Sequence, residues 1–377
     1  MFLEQGIALP SFPSTAPMKH SLATVLAFAT LAACADRTTS PSVTSGAANA
    51  SATTVPSAAP IDIAVIGDTP YGSAAISLFP ELVNAINEDP KVRTVVHVGD
   101  LKSGSESCSD ARLQISADLY ATFKDPMVYA IGDNEWTDCH RANNGGFNPL
   151  DRLNKVRELF YPVPGRVLGQ RNMSVEAQTN YPENQLWVES RVTFSVSHII
   201  GSNNGLDKWF GDRKVNGVSV PETAAEGASR VAEVTARQAA NLAWLEHTFA
   251  TAREQASVGI VLFYQADLWH PGDRAGGAQF TAHQSWVERF SQLAQNFDGK
   301  ILLVVGDSHD YRVDVGVPWM KTYYGVPAPA NVTQIVVDRT IESPATDVGT
   351  KSEIEWLRLH VDPRSPNVFS WEQVITR

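Results

Sequence analysis

The stretch IDIAVIGD at residues 61–68 contains the pattern on which the fold depends: a short apolar run ends in a glycine, and an aspartate follows. The same pattern returns in VHVGD at residues 96–100, YAIGD at residues 129–133 and LVVGD at residues 303–307. Apolar, β-branched runs of this length are typical of buried strands, and glycine allows a sharp turn at the strand end. We therefore predict four strands, each ending in a Gly-Asp turn.

The segments that follow the first two strands have helical spacing. Residues 73–87 carry apolar side chains three and four positions apart, and residues 109–123 do the same behind Ser109, a good helix N-cap. Strand, turn and helix thus repeat, which indicates βαβ units with parallel strands in an α/β fold. Further strands are predicted at residues 192–200, 259–264 and 301–305, and further helices at residues 232–253 and 279–296.

The tail has strand character without intervening helices. The predicted strands are residues 332–337, 353–361 and 367–370. Such a tail predicts a second, partly antiparallel sheet that packs on the first.

The four aspartates should meet at one place. Carboxyl ends of parallel strands share one edge of a sheet, and open α/β sheets bind ligands there. His309 stands two residues after Asp307, the last of the four. Because converging like charges need a cation between them, the pattern predicts a metal site.

Composition excludes one class of partner. Hydrophobic residues make up 43% of the 377 residues, enough for a large core, and no stretch of about 20 apolar residues is present to span a membrane. The net charge is −11, and the clustered Lys and Arg that phosphate backbones require are not seen. We therefore predict no nucleic-acid partner.

Residues 1–34 have the features of a secretory signal, with Met18 as an alternative start. A basic start precedes an apolar core, and the ending LAAC at residues 31–34 resembles the bacterial lipobox, in which the cysteine is lipidated. We expect an exported lipoprotein, periplasmic or anchored to the outer membrane through a lipid on Cys34 alone. An ordinary signal peptide with a chance cysteine is the alternative.

Residues 35–60 are rich in Ser, Thr, Ala and Pro, with almost no large apolar side chains. Such a segment cannot bury enough surface to fold, so we predict a flexible linker. Residues 61–377 then form one folded domain.

Two cysteines remain in that domain, Cys108 and Cys139. Disulfides persist in exported proteins, so we predict a bridge that closes a loop of about 31 residues and contributes about 3.5 kcal/mol in the chain-entropy model. A thiolate metal site is the alternative, although two cysteines without close partner ligands are a weak zinc signal.

The order of the motifs resembles that of the calcineurin-like metallophosphoesterases. Their pattern runs Asp-x-His, Gly-Asp, Gly-Asn-His-Glu/Asp, a lone His at a strand end, and Gly-His-x-His. The matching positions here are Asp68, Asp100, GDNE at residues 132–135, Gln265 and GDSH at residues 306–309. The resemblance spans residues 61–312 and implies a four-layer α-β-β-α sandwich, with a two-metal centre at the strand ends.

The resemblance also implies a role for each matching residue. Asp68 and His309 would bind the first metal. Asp100 would bridge two ions, and Asp133 would replace the family's Asn on the second. The chain departs from the pattern where the family has histidine, at Pro70, Asn134, Gln265 and Asp307.

The implied ligand set is rich in oxygen, and this favours hard cations. It consists of Asp68, Asp100, Asp133, Gln265, Asp307 and His309. Oxygen ligands suit Mn²⁺, Mg²⁺ or Ca²⁺, whereas imidazole-rich sites suit zinc and iron. We therefore expect one or two divalent ions of the hard type.

Because Asn134 stands at the family's catalytic His, another proton donor is needed nearby. Asp138 and His140 follow in the same loop, and Arg141 offers a planar fork for phosphate. Substrate contacts are predicted for Tyr71, which lies close to Asp68, and for a polar turn that follows a strand, Asn203 and Asn204.

Three functions remain open at this point. The leading hypothesis is a metal-dependent phosphoesterase that acts on a small phosphate monoester or diester by metal-activated water. A second is a degenerate member that binds a ligand or partner at the cell envelope without turnover, although replacement of His by Asp and Gln keeps ligating ability. A third is a serine esterase with GDS at residues 306–308 and DLWH at residues 267–270, an order that is the reverse of that family's.

Overall fold

The computed structural model describes residues 59–270, 281–342 and 353–376, which lie in one compact unit. The predicted signal with Cys34, and all but the last two residues of the predicted linker, lie outside the described residues. In the described part, no helix is both long and apolar enough to cross a membrane.

The strands and helices confirm the predicted α/β class. The strands are β1 Ile61–Ile66, β2 Val92–His97, β3 Met127–Tyr129, β4 Glu176–Gln178, β5 Tyr181–Glu189, β6 Val192–Val196, β7 Lys214–Val215, β8 Val218–Ser219, β9 Gly259–Phe263, β10 Lys300–Val305, β11 Arg312–Val315, β12 Val332–Val336, β13 Ile341–Glu342, β14 Glu353–Val361 and β15 Phe369–Ile375. The helices are α1 Gly72–Glu88, α2 Asp110–Tyr120, α3 Pro149–Phe160, α4 Ala224–Glu254, α5 Gln284–Gln295 and α6 Trp319–Tyr324. Short 3₁₀ turns follow β3 at Thr137–His140 and Ala142–Asn144.

The first sheet has the order β13-β14-β1-β2-β3, and β15 pairs with β14. Strands β1, β2 and β3 are parallel, as the βαβ pattern predicts, because α1 and α2 carry the chain back between them. Strand β14 lies antiparallel to β1 and closes the other side.

The second sheet has the order β11-β12-β10-β9-β6-β5-β4. Its centre is parallel, since β6, β9, β10 and β12 run in the same direction. Its two edges are antiparallel, with β11 on β12 and β5 between β4 and β6.

The second, partly antiparallel sheet predicted from the tail is present, but only part of the tail belongs to it. Strand β12 joins the second sheet beside β10, whereas β14 and β15 join the first sheet beside β1. The last strand also lies later than predicted, at Phe369–Ile375. A strand's sequence specifies its buried face, but its partner depends on which sheet edge is open, and that is a long-range property.

The two sheets pack face to face between helices, which gives the four-layer α-β-β-α sandwich that the resemblance implied. Along β1, Ala64 and Ile66 belong to the core under α1–α3, while Ile63 and Val65 belong to the core between the sheets. This alternation is the two-residue period of a strand buried on both faces. A third core lies between the second sheet and α4 with α5, and includes Phe249 and Phe290.

Local signals account for the starts of helices α2 and α4. Ser109 accepts a hydrogen bond from the backbone N of Arg112, as its predicted N-cap role requires. Helix α4 begins at Ala224, eight residues before the predicted start, because Thr223 and Glu226 form a capping box.

The predicted disulfide is present. Cys108 and Cys139 are bonded, with their Cα atoms 5.7 Å apart, and both side chains are buried. The bridge ties the segment after β2 to the 3₁₀ turn Thr137–His140, so it fixes the loop that carries Asp138, His140 and Arg141.

Candidate metal centre

The four Gly-Asp turns place their aspartates at one edge of the sandwich. Asp68, Asp100 and Asp307 have positive φ values of 53°, 60° and 75°. This left-handed conformation is uncommon outside glycine but tolerated by aspartate, and it lets a strand turn within one residue. The backbone N of Asp307 donates to Asp68 Oδ2 at 3.3 Å, so the ends of the two sheets are joined there.

Three of the carboxylates form a compact group. Oxygens of Asp100, Asp133 and Asp307 lie within 4.8 Å of one another, and we call these three residues the carboxylate cluster. Burial, followed by the negative charge of Asp133, raises the pKa of both Asp100 and Asp307 well above the usual range. Three acids in this position fit a divalent cation, which removes the repulsion that the raised pKa values reflect.

The hydrogen-bond donors on the cluster are amides. Asn134 N donates to Asp100 Oδ1 at 3.2 Å, and Asp267 N donates to Asp307 Oδ2 at 3.3 Å. The buried ammonium of Lys102 donates to Ser103 O, and burial lowers its pKa although Glu135 and Asp100 oppose this effect. The cluster therefore has more negative charge than its surroundings balance.

Gln265 links two members of the cluster. Its Nε2 donates to Asp100 Oδ2 at 3.1 Å and to Asp133 Oδ1 at 3.2 Å. Its Oε1 accepts from the backbone N of Gly201 at 2.7 Å. The predicted ligand oxygen thus faces Gly201, and in this arrangement Gln265 holds the carboxylates in place.

Two glycines allow the acids to approach so closely. A Cβ at Gly132 would lie 2.1 Å from Asp100 Oδ1, and a Cβ at Gly201 would lie 2.8 Å from Asp307 Oδ2 and 3.0 Å from Asp133 Oδ2. No other residue type fits at these distances, so both glycines are part of the centre.

Asp68 lies beside the cluster in a separate hydrogen-bonded group. Tyr71 Oη donates to Asp68 Oδ1 at 3.1 Å, and His309 Nε2 lies 3.1 Å from the same oxygen. Arg339 Nη2 lies 2.9 Å from His309 Nδ1. We call Asp68, Tyr71, His309 and Arg339 the tyrosine cluster.

The loop after Asp133 lies beside the centre. Asp138 is buried and pairs with Arg141, whose Nη1 lies 2.6 Å from Asp138 Oδ2 and whose side chain is 40% exposed. Arg141 Nη2 also reaches Ser202 Oγ at 3.4 Å. Burial, followed by the charge of Asp133, raises the pKa of Asp138 to about 8.

Three predicted site residues have their side chains engaged elsewhere. His140 Nδ1 accepts from the backbone N of Phe210 at 2.9 Å. Asn203 Nδ2 donates to Asp207 at 3.0 Å, and the side chain of Asn204, which is buried, accepts from Arg237. The structure therefore brings Asp138, Arg141 and Tyr71 to the site. The side chains of His140, Asn203 and Asn204 point away from it.

Several residues of the site did not emerge from the sequence. Gly201 belongs to the short turn Gly201–Asn204, in which Ser202 and Asn203 have left-handed backbone angles. Glu135, inside the quoted GDNE motif, is buried and accepts from Gly132 N at 2.5 Å. Arg339 comes from the tail, and no local signal connects it to His309, 30 residues earlier.

The contacts of Ser308 do not support the serine esterase hypothesis. Ser308 Oγ donates to Asp267 Oδ2 at 2.9 Å, and Asp267 also binds Arg312 and Gln334. A serine nucleophile needs a base that can take its proton, and a carboxylate held by a guanidinium is a poor one.

Comparison with known proteins identifies a family for the chain. The family model described as calcineurin-like phosphoesterase matches residues 61–311. No curated protein matches the chain. Among solved structures, the chain is similar to "GAP50 the anchor in the inner membrane complex of Plasmodium", with 11% identity, a TM-score of 0.42, and coverage of 84% of this chain and 88% of that chain.

Proposed function

The chain belongs to the calcineurin-like phosphoesterase family, and from this premise we propose that it is a metal-dependent phosphoesterase that hydrolyses a small phosphate monoester or diester. One observation carries the proposal: the carboxylate cluster places three acids within 4.8 Å at the strand ends, held by amide donors. Members of this family use divalent metals, and the cluster is a group of acids that could bind one.

Asp100, Asp133 and Asp307 would hold the cation. Their oxygens favour a hard ion, Mn²⁺, Mg²⁺ or Ca²⁺. Such an ion supplies a Lewis acid for phosphoryl oxygens and lowers the pKa of water. Gln265 keeps two of the carboxylates at a fixed separation, as the residues behind metal ligands commonly do.

Arg141 and Asp138 would act on the substrate. The guanidinium of Arg141 is partly exposed beside the centre, where its fork can bind two phosphate oxygens. In the metal-free protein, burial and Asp133 raise the pKa of Asp138 to about 8, and burial acts on it with an ion bound as well, so Asp138 is the candidate that donates a proton to the leaving oxygen. His140 is a weaker candidate for this donor, because burial lowers its pKa and its Nδ1 is bound to Phe210.

A second candidate function is ligand binding without turnover. The observation in its favour is Asn134, which stands where the family has its catalytic His and donates from Nδ2 to Tyr71 Oη at 3.4 Å. In that case the centre would bind a phosphate compound and release it unchanged.

Hydrolysis assays separate the two candidates. The full-length chain, stripped with a chelator, is assayed on p-nitrophenyl phosphate and bis(p-nitrophenyl) phosphate before and after addition of Mn²⁺, Mg²⁺, Ca²⁺ or Zn²⁺. We expect activity that returns with a hard ion, is lost in Asp100→Asn and persists in Asp310→Asn, a change at an exposed position of the same edge. Ion binding without hydrolysis would favour the second candidate, and failure to retain any ion would contradict both the metal site and the enzyme.

We also propose export and anchoring through Cys34. The ending LAAC at residues 31–34 and the Cys108–Cys139 disulfide both suit an exported protein. In cells, Cys34→Ala should leave the membrane fraction for the soluble one. A variant processed and retained on membranes like the unmodified chain would refute the lipid anchor.

A further inference from the structure

We infer that Arg237, on helix α4, is a positioning residue for the carboxylate cluster, because it holds both ends of the turn Gly201–Asn204 that lies against the acids. The inference rests on the proposed function, since the cluster matters to the reaction only if it binds the ion. The hydrogen bonds of the guanidinium go to His198, Asn204 and Glu233, and none of these is a member of the cluster.

The turn Gly201–Asn204 touches the centre through its first two residues. Gly201 N donates to Oε1 of Gln265 at 2.7 Å, and Gln265 links two acids of the cluster. The backbone of Gly201 also lies against two of the carboxylates, since a Cβ there would come within 3.0 Å of their oxygens. Ser202 Oγ accepts from Arg141 Nη2 at 3.4 Å. The position of this turn therefore affects both the acids and the guanidinium beside them.

The backbone of the turn has an unfavourable conformation. Ser202, Asn203 and Asn204 have φ values of 46°, 54° and 54°, and Gly205 follows with 75°. Left-handed conformations usually occur at single residues, because each one brings Cβ close to the following carbonyl oxygen. A run of three such residues that carry side chains persists only where the surrounding structure holds it.

Arg237 provides such a hold. Its side chain is fully buried, Nη2 donates to Asn204 O at 2.8 Å, and Nη1 donates to Asn204 Oδ1. Nη1 also donates at 3.5 Å to the carbonyl oxygen of His198, which lies between strand β6 and the turn. One guanidinium thus fixes the chain before the turn and the residue at its end.

The role requires arginine. Glu233 balances the charge, with Oε1 at 2.8 Å from Nε and Oε2 at 3.2 Å from Nη2. The five N–H donors of the guanidinium match five hydrogen bonds, two to Glu233 and three to oxygens of His198 and Asn204. A lysine has its three donors on a single nitrogen, so it cannot span these acceptors.

Hydrogen exchange tests the hold without metal or substrate. The full-length chain and its Arg237→Lys variant are compared by mass spectrometry over a peptide of residues 199–206. In this peptide the backbone N–H groups of Gly201, Gly205 and Leu206 are hydrogen-bonded. We expect about tenfold faster exchange in the variant, because the turn loses hydrogen bonds that hold its closed form. Unchanged exchange in this peptide would overturn the inference.

Arg230→Lys is the matched control. Arg230 is buried on the same helix, binds Glu222 through two hydrogen bonds and donates to one carbonyl oxygen, that of Leu206, outside the turn. We expect exchange at Gly201 and Gly205 as in the unmodified chain. Equally fast exchange in both variants would mean that any buried arginine of α4 has this effect, and it would overturn the inference.

Ion binding tests the effect on the cluster. In Arg237→Lys the Mn²⁺ affinity measured by calorimetry should fall about tenfold or more, as for other residues behind metal ligands, and in Arg230→Lys it should stay within about threefold. An unchanged affinity in Arg237→Lys would overturn the inference. If the variants differ as expected but the unmodified chain hydrolyses neither phosphate ester, the proposed function fails and the inference stands. A chain that retains no ion would overturn both.

A pair of changes at Asn204 tests the same contact without altering the buried arginine. Asn204→Ala removes the oxygen that accepts from Arg237 Nη1, whereas Asn204→Asp keeps an oxygen there and also tolerates a positive φ. We expect faster exchange of the turn in Asn204→Ala and exchange as in the unmodified chain in Asn204→Asp. Equal exchange in the two variants would overturn the role given to this contact, whether or not Arg237→Lys folds.

Discussion

The carboxylate cluster and Glu183 are two buried acidic sites that the protein treats in opposite ways. Glu183 is 1% exposed, and it is bound by Arg157 Nε at 3.0 Å and by His198 Nδ1 at 2.9 Å. Burial raises its pKa, but His198 and Arg157 outweigh this and lower it to about 2. In the cluster, burial and neighbouring acids act together and raise the pKa of Asp100 and Asp307.

The difference shows that burial of an acid does not by itself indicate a metal site. Glu183 is held by a guanidinium and an imidazole, so its charge is balanced within the protein. Asp267, next to the cluster, is balanced in the same way by Arg312. The protein therefore supplies arginine to the buried acids at these two positions, and the cluster is distinguished because its donors are amides.

The largest effect should come from breaking the balanced site. We expect Glu183→Gln to lower the free energy of unfolding by about 3–5 kcal/mol, because Arg157 then loses its charged partner in a largely buried position. Urea unfolding in the presence of a chelator measures this effect. The affinity of the carboxylate cluster for an ion should stay unchanged in the same variant. A decrease in the free energy of unfolding below about 1 kcal/mol would contradict the proposed difference between Glu183 and the cluster.

The next largest effect is expected in the carboxylate cluster, whose negative charge the protein does not balance. Asp307→Asn should weaken Mn²⁺ binding by about 100-fold or more, since even residues behind the ligands commonly contribute 10–100-fold. The metal-free variant should unfold at the same urea concentration or a higher one, because one repelling charge is gone. Calorimetry and urea unfolding give both values.

Asp310→Asn is the matched control for this variant, because the side chain is exposed and three positions away. Binding of Mn²⁺ by Asp307→Asn within about threefold of the unmodified chain would show that the cluster is not the metal site.

Acid has opposite effects on the two sites. The folded-state pKa of Asp100 and Asp307 is raised, so their contribution to metal-free stability is present below about pH 4 and is lost as the pH rises. That of Glu183 is lowered, so its contribution is present above about pH 4.5 and is lost as the pH falls toward 2.

A thermal scan from pH 5 to 8, with and without Mn²⁺, tests this difference. An ion at about ten times its Kd stabilises the fold by about 1.4 kcal/mol. We expect this gain to be smallest at pH 5, where protons compete for the cluster, and to grow toward pH 8. A gain that is the same across the range would contradict the raised pKa values.

The sequence indicates where the acids of the carboxylate cluster lie, but it does not indicate which residues pair with a buried acid. The Gly-Asp turns, strand β1 at Ile61–Ile66 and the Cys108–Cys139 bridge follow from local patterns, because a strand end, a glycine and a cysteine pair each carry their own signal. The partner of an acid carries none. Arg157 reaches Glu183 across 26 positions of the chain, and Tyr71 reaches His309 across 238.

The same limit explains the other differences from the sequence prediction. The side chains of Asn203 and Asn204 point to Asp207 and Arg237 because the turn Gly201–Asn204 has left-handed residues, which reverse the side-chain directions expected after a strand. Gly201 contributes through the absence of a side chain, which becomes visible only when Asp133 and Asp307 are in place.

The smallest effect is expected at Glu226, an acid that is paired with arginine but is more exposed than Glu183. Glu226 is bound by Arg213 in a bidentate pair at 2.9 Å and 3.1 Å, and this hydrogen bonding lowers its pKa to about 2, the same value as for Glu183. Its side chain is 23% exposed, however, and solvent screens the pair. Glu226→Gln keeps a side-chain oxygen that can accept from Thr223 N at the start of helix α4, so the variant removes little beyond the charge. We expect a loss of at most about 1 kcal/mol in urea unfolding, as for other solvent-accessible pairs. A loss as large as that of Glu183→Gln would mean that arginine pairing, and not burial, determines how strongly an acid supports this fold.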